Sequence, residues 1–217
     1  RRADRELVRS MAARIREPEY STREFFEDCV AAFPELELFA PPRSSRCCIT
    51  SSGRDSHIEY QRTFGALFAV YWLLRLDIDG RCGLAFGYDE SWRILTSAAS
   101  GEGEERRAAF FEKMDWGLLA EVTELALGSS VERIEAMLCL TAFHDVMKVT
   151  PLIPSVTEEH APYNGFSAGD AIHDHDLALA YVLEYYPHLI PSFAMLPEAL
   201  RDVVLFTQTK MSFNHGW

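Results

Sequence analysis

The apolar run Phe64–Leu74 (FGALFAVYWLL) constrains the fold more than any other part of the sequence. Spanning a bilayer takes about 20 consecutive apolar residues, so the run is too short for a transmembrane helix, and charged residues flank it. A helix that is apolar on nearly all sides must instead be buried in a protein core. Its large side chains recur at helical spacing, at Phe64, Leu67, Phe68, Tyr71 and Leu74. The sequence therefore predicts a buried helix over residues 55–76.

Helical patterns recur through the rest of the chain and predict an all-α fold. The other predicted helices lie at residues 1–33 (one or two helices), 104–127, 131–148, 175–186 and 197–213. Asp174 is suited to cap the helix 175–186. Residues 81–95 are ambiguous between a short strand pair and a helical return, so a small β element is one of two expectations there. Residues 40–56 are rich in Pro, Ser, Arg, Cys and Gly, which is typical of a loop. A boundary in this loop predicts an N-terminal helical extension, residues 1–45, and a helical domain, residues 46–217.

The charge and the cysteines exclude several classes of protein. The 21 Lys and Arg residues against 33 Asp and Glu residues give a formal net charge of −12. This charge disfavours a nucleic-acid surface, which needs clustered Lys and Arg, but it allows a small anionic substrate beside a bound cation. The five cysteines show no CxxC spacing, so free thiols in an intracellular, reducing compartment are predicted, most simply the cytoplasm. No membrane span is predicted, and the sequence does not indicate an oligomeric state.

A His-Asp pair lies near the end of the predicted helix 131–148, within the run Phe143-His144-Asp145-Val146-Met147-Lys148. Adjacent side chains on a helix diverge by about 100°, so His144 and Asp145 can reach one metal ion only near a helix end or from opposite sides of the ion. Imidazole suits Zn, Fe and Mn, and a carboxylate can bridge two such ions. The pair is therefore a candidate to bind divalent metal ions. The alternative is a structural helix C-terminus at which His144 and Lys148 interact with the helix dipole.

The run FHDVMK resembles the HD superfamily, which includes metal-dependent phosphohydrolases and a smaller set of di-iron oxygenases. In that family one His precedes a central His-Asp pair, and further His and Asp residues follow it. His144 and Asp145 match the pair, and Lys148 stands where many members carry a lysine. The resemblance implies an HD-like helical bundle in which His144 and Asp145 bind metal and Asp145 and Lys148 act in catalysis.

The resemblance also implies further metal ligands spread along the chain. His57 opens the predicted helix 55–76 and would be the first His, although a structural residue of the helix start is an equal alternative. Of the two histidines in the later HDHD run, His175 fits better than His173, because apolar residues follow it at helical spacing. His215 would be the next ligand. These donors do not distinguish Fe, Mn and Zn.

Three functions follow from the resemblance. The first is metal-dependent hydrolysis of a small phosphorylated or nucleotide substrate, with Lys148 contacting the phosphate. The second is a di-iron oxygenase on the same scaffold, with Asp145 bridging the irons. The third is a degenerate HD-like module that binds a partner or ligand without catalysis, favoured by Met147 in place of the usual glycine and by the lack of a final Asp after His215. Because the sequence has no initiator Met and stops at Trp217, we expect a piece of a longer protein, in which a ligand could follow Trp217.

Overall fold

The helices of the protein follow the predicted apolar spacing. The structure is a computed structural model that describes residues 2–39, 50–97 and 103–210. Its α-helices are α1 (Arg5–Arg14), α2 (Thr22–Ala32), α3 (Ser56–Leu73), α4 (Gly80–Phe86), α5 (Glu104–Lys113), α6 (Trp116–Ala126), α7 (Val131–Phe143), α8 (His175–Tyr185), α9 (Pro191–Ala194) and α10 (Glu198–Lys210). Short 3-10 turns lie at Pro34–Phe39, Val146–Lys148, Thr150–Leu152, Glu158–His160 and Pro187–Leu189. The described residues form isolated β-bridges but no sheet, so the predicted all-α class is confirmed.

The apolar run lies in α3, close to the predicted bounds. Asp55 precedes this helix, and its Oδ1 accepts a 2.7 Å hydrogen bond from the backbone N–H of His57, which satisfies an amide group that a helix start leaves free. Leu67 and Tyr71 are fully buried. Burying one large apolar side chain stabilises a fold by about 1.5–3 kcal/mol, so α3 contributes much of the core energy. None of the described helices is long and apolar enough to cross a membrane.

The predicted helix 131–148 ends earlier than expected. Helix α7 stops at Phe143, and the chain continues into the 3-10 turn Val146–Lys148. Asp145, just before the turn, has φ −100° and ψ 4°, which lies in the sparsely populated bridge region. The His-Asp pair therefore lies where the helix has ended. Its two side chains need not diverge as they do on a regular helix.

The ambiguous segment 81–95 contains both of the predicted alternatives. Helix α4 covers its first part, and an isolated antiparallel bridge joins Tyr88 to Ile94. Gly83 allows α4 to approach α3, because a Cβ at this position would lie only 2.4 Å from Nε1 of Trp72. The small β element therefore consists of a single bridge that follows a helix.

Contacts divide the chain into two compact units. Unit 1 contains Arg1–Arg5, Ala32–Phe64 and Cys139–Trp217, and unit 2 contains Glu6–Ala31 and Gly65–Leu138. The boundary predicted between residues 45 and 46 falls outside the described residues, so the division into an extension and a domain stays a prediction.

Unit 1 is built around α8. Residues 178–183 are all buried, and α8 contacts both α10 and the turn Val146–Lys148. Glu35 is also buried, and its carboxylate accepts hydrogen bonds of 2.7 Å from the backbone N–H and 2.6 Å from the hydroxyl of Ser192. A buried carboxylate is costly unless it is hydrogen-bonded, so this pair fixes the start of α9 against the turn Pro34–Phe39.

Unit 2 encloses a buried arginine. Arg75 is 1% exposed, and its guanidinium donates hydrogen bonds of 2.9 Å and 2.7 Å to the backbone oxygens of Ile15 and Glu17. Its Nε also donates to Oδ1 of Asp79 at 2.8 Å. A guanidinium has five N–H donors, and here they are directed at acceptors inside the unit. Arg75 therefore ties the chain at the end of α1 to the chain at the end of α3.

Aromatic rings pack together in each unit, but the residue types in the two clusters differ. In unit 2, Phe25 stacks on Tyr71 with ring centroids 4.7 Å apart. The cluster of unit 1 combines histidine with tyrosines, and His160 stacks on Tyr185 at 3.8 Å. The hydroxyl of Tyr181 lies 3.0 Å from Nδ1 of the same histidine, so this cluster also contains a polar contact.

Replacing Arg75 with Met is expected to lower the free energy of unfolding by about 3–5 kcal/mol, because Asp79 and the backbone oxygens lose their donor. Urea unfolding followed by circular dichroism measures the change. Arg93→Met is the matched control, since Arg93 also pairs with an aspartate four residues away but is 80% exposed. An exposed pair contributes about 1 kcal/mol or less. Equal losses in the two variants would contradict the role given to Arg75.

Candidate metal centre

The predicted His-Asp pair lies at the junction between α7 and the turn Val146–Lys148. The backbone N–H of His144 still bonds to the carbonyl of Leu140 at 2.9 Å, as in a helix, whereas Asp145 has left the helical conformation. The helix therefore fixes the position of His144, and the backbone leaves the helical conformation at Asp145. This change of winding brings the two adjacent side chains to one side, with Nε2 of His144 3.4 Å from Oδ2 of Asp145.

Asp145 carries a carboxylate that is almost enclosed, with 7% of its side chain exposed. Its Oδ1 lies 2.7 Å from Nζ of Lys148 and 3.8 Å from Nε2 of His175. Burial, the largest influence, by itself raises the pKa of Asp145. The charges of His144, Lys148 and His175 and the hydrogen bond from Lys148 together lower that pKa below its ordinary value. The carboxylate is therefore held in its ionised form in a buried place.

A backbone carbonyl fixes the ring of His144. Nδ1 of this ring lies 2.8 Å from the carbonyl oxygen of Thr141. Because a carbonyl oxygen only accepts hydrogen bonds, we assign a proton to Nδ1, which leaves the lone pair of the neutral ring on Nε2. Histidines that bind metal through one nitrogen almost always donate the other N–H to a carbonyl or carboxylate in this way.

The contact between His144 and Asp145 calls for a cation. With the proton on Nδ1, a neutral ring leaves its unprotonated Nε2 3.4 Å from a charged oxygen, which is unfavourable. Two ligand atoms, each about 2.1 Å from one ion at a tetrahedral angle, lie about 3.4 Å apart. The geometry therefore fits two states, a protonated imidazolium paired with the carboxylate or a metal ion shared by both side chains.

A second contact between an imidazole and a carboxylate lies at the start of α8. Nε2 of His175 is 3.5 Å from Oδ1 of Asp176, in addition to its contact with Asp145. Asp174 caps the helix, since its Oδ1 accepts hydrogen bonds of 3.0 Å and 3.1 Å from the N–H groups of Asp176 and Leu177. This is the cap that the sequence predicts for α8.

Asp174, His175 and Asp176 are close enough together to share an ion. Among the described residues they form the one group of three or more His, Cys, Asp or Glu residues whose ligand atoms all lie within 4.8 Å of one another. Oδ1 of Asp174 is already used at the helix start, and the residue is exposed. His175 and Asp176 are therefore the better candidates to bind an ion, together with Asp145.

The structure brings together some of the predicted site residues and separates others. His57 is exposed at the start of α3, and its ring lies beside Gln61 and Tyr60 of the same helix. His173 is exposed, whereas His175 faces Asp145, in line with the preference for His175. The predicted site residues that lie together are His144, Asp145, Lys148 and His175. His215 lies outside the described residues, so its role as a ligand stays a prediction.

Two parts of the site were not identified from the sequence. Asp176 follows His175 directly, and the alternation of His and Asp in the HDHD run was a signal that could have marked it. The contact made by Thr141 uses its backbone oxygen, which every residue carries, so the residue type gave no signal.

An apolar cavity of about 440 Å³ adjoins the turn that carries the motif. Val146 and Met147 line it, and they are the two residues between Asp145 and Lys148. Tyr181 and Tyr186 line another part of the wall. Cavities of about 300–1,000 Å³ are large enough for small ligands. A molecule in this cavity would contact the same turn that positions Asp145 and Lys148.

No family model matches the chain, and no curated protein or solved structure matches it significantly. The interpretation of the site therefore depends on its own residues and distances.

Replacing Asp174 with Ala is expected to lower the free energy of unfolding by about 1 kcal/mol, because α8 loses its cap. Asp174→Asn should change it by only a few tenths of a kcal/mol, since Asn caps helices as well as Asp does. Urea unfolding of both variants measures the difference. If metal affinity fell equally in both variants while only the Ala variant lost stability, Asp174 would also be a ligand, contrary to our assignment.

Proposed function

We propose that the protein is a metal-dependent hydrolase of a small phosphorylated or nucleotide substrate, with an HD-like site in unit 1. The observation that carries the proposal is the ring of His144, whose Nδ1–H meets the Thr141 carbonyl and whose Nε2 lies 3.4 Å from a buried carboxylate oxygen of Asp145. A structural helix end needs no buried carboxylate that faces two imidazoles. His144, Asp145, His175 and Asp176 would hold the ion or ions, and these donors suit Fe, Mn or Zn.

The residues around the site each have a definite task in this proposal. A divalent ion held there would supply Lewis acidity, the chemistry by which metal ions make water reactive in hydrolysis. The Thr141 carbonyl holds the proton of His144 on Nδ1, so that Nε2 stays available as a ligand. The burial of Asp145 keeps bulk water away from the carboxylate, which strengthens its interaction with any cation.

Lys148 is the candidate for contact with the anionic substrate. Its side chain is 15% exposed, and its Nζ lies 2.7 Å from Oδ1 of Asp145. An ammonium group has three donors, and this contact uses one of them. The other donors can reach phosphoryl oxygens, where a charge-assisted hydrogen bond is strong. Lys148 thus balances the charge of Asp145 and can add a cation for the substrate.

A di-iron oxygenase on the same residues is the second candidate. Its support is the position of the Asp145 carboxylate, in which Oδ2 faces His144 and Oδ1 faces His175. A carboxylate whose two oxygens face two separate imidazoles can bridge two ions. The two candidates differ in the metal and in the reaction, so metal identity separates them.

A degenerate module that binds without catalysis is the third possibility, and it predicts no metal in the site.

The purified chain is expected to hold about one or two equivalents of Fe, Mn or Zn, measured by inductively coupled plasma mass spectrometry. His144→Ala and Asp145→Asn should lose this metal, because each removes a ligand of the buried pair. His188→Ala is the matched control, since His188 is exposed and belongs to no group of candidate ligands in the described residues. Metal below about a tenth of an equivalent in the unmodified chain, even after reconstitution, would contradict both enzyme functions.

Replacing Lys148 with Met is expected to reduce phosphate release from a phosphate ester by about 10²–10³-fold while the metal content is retained. A colorimetric phosphate assay on the metal-loaded protein measures the rate. Oxygen consumption by the iron-loaded protein, without phosphate release, would instead support the oxygenase. A Lys148→Met rate equal to that of the unmodified protein would exclude Lys148 from contact with the reacting group.

A further inference from the structure

Another buried carboxylate of unit 1, that of Glu59, contacts two arginines. Glu59, in the first turn of α3, is fully buried, and its Oε1 accepts a 2.8 Å hydrogen bond from the hydroxyl of Ser52. Nη1 of Arg54 lies 3.6 Å from the same oxygen, and Nε of Arg62 lies 3.4 Å from Oε2. One enclosed carboxylate therefore positions two guanidinium groups, one on each of its oxygens.

The positive charge in this group exceeds what Glu59 needs. One cation balances a buried carboxylate, yet Glu59 has two, so Arg54, Arg62 and Glu59 together carry a net positive charge. The two arginine side chains are 49% and 55% exposed, so their outer donors are accessible. In the described part of the chain the only carboxylate that either guanidinium contacts is Glu59, although each has five N–H donors.

Buried polar atoms beside the arginines also lack hydrogen-bond partners in the described residues. The hydroxyl of Ser56 is buried and has no hydrogen-bond partner in the described residues, whereas Oε2 of Glu59, which also lacks a hydrogen bond there, has its ion pair with Arg62. An unmet buried polar group costs about 1–3 kcal/mol, so such groups are uncommon unless they serve a purpose. Both residues lie on the first turn of α3, three positions apart, and thus on the same face of the helix.

The segment that carries Arg54 is attached to the motif turn. Thr50 and Val149 form an antiparallel bridge, and the N–H of Ser51 donates a 2.8 Å hydrogen bond to the carbonyl of Lys148. The carbonyl of Arg54 folds back to accept a 2.8 Å hydrogen bond from the N–H of Thr50. The arginine segment and the Asp145 site are therefore joined by backbone hydrogen bonds within one unit.

We propose that Arg54 and Arg62, positioned by Glu59, bind a phosphoryl group of the substrate. The inference rests on the proposed function and deepens it, because it assigns the residues that recognise the phosphorylated substrate. Guanidinium groups match phosphate oxygens with paired, charge-assisted hydrogen bonds, and their rigid planes make the recognition directional. Glu59 acts as a positioning residue that aligns the two arginines before the ligand arrives.

The test is binding of inorganic phosphate to the full chain in the presence of EDTA, so that no metal contributes. The dissociation constant comes from a ¹H–¹⁵N nuclear magnetic resonance titration that follows the arginine side-chain N–H signals. The double variant Arg54→Gln with Arg62→Gln is expected to bind phosphate about tenfold or more weakly, since it loses charged donors. Arg201→Gln is the matched control in α10 and should bind as the unmodified chain does.

A second variant keeps the test decisive if the glutamine variant fails to fold. Arg54→Lys with Arg62→Lys retains a positive partner for Glu59, so circular dichroism should show a folded protein. It should still bind phosphate more weakly, because lysine lacks the planar fork. The proposal would be overturned if the unmodified chain showed no detectable phosphate binding, or if both double variants bound phosphate as tightly as the unmodified chain.

Metal content of the same variants separates this inference from the proposed function. A chain that holds metal at Asp145 and binds phosphate without need of the arginines would refute the arginine site alone. A chain that binds phosphate through the arginines but holds no metal would refute the hydrolase and leave a phosphate-binding module.

Discussion

The burial of the Asp145 carboxylate is the constraint on which the rest of the site depends. An ionised carboxylate that is withdrawn from water is costly unless cations and donors surround it. The chain meets this demand with Lys148 from the following turn, His144 from the end of α7 and His175 from the start of α8. The need to compensate one charge thus draws two helices and a turn together. The same arrangement places two imidazole nitrogens beside the oxygens of one carboxylate.

Arg75 differs from Arg54 and Arg62 in burial and in the groups that satisfy its charge. Arg75 directs its guanidinium at backbone oxygens and at Asp79, and it is almost completely buried. Arg54 and Arg62 share one carboxylate, Glu59, and keep about half of their side chains exposed. The first pattern satisfies a charge within the fold. The second leaves guanidinium donors that no carboxylate other than Glu59 contacts in the described part of the chain.

Local patterns in the sequence predicted most of the helices, although the helix predicted over 104–127 is divided into α5 and α6 and the short α9 was not predicted. Long-range pairings were not predictable. The spacing in α3 and the Asp174 cap of α8 depend on neighbouring residues, and both predictions are confirmed. The early end of α7 was missed, because His144 to Lys148 continue the apolar spacing of the helix. The bridge between Thr50 and Val149 joins segments that are far apart in the chain, which no local pattern of a single sequence encodes.

The difference between the aromatic clusters gives unit 2 an optical signal of its own. Among the described residues, Trp72, Trp92 and Trp116 all belong to unit 2, whereas the rings around His160 in unit 1 are tyrosines. Indole emission can be excited at wavelengths where phenol does not absorb. Once Trp217, which lies outside the described residues, is replaced by Phe, tryptophan fluorescence would report the packing of unit 2 alone. Loss of structure in one unit could then be distinguished from loss in the other without any added label.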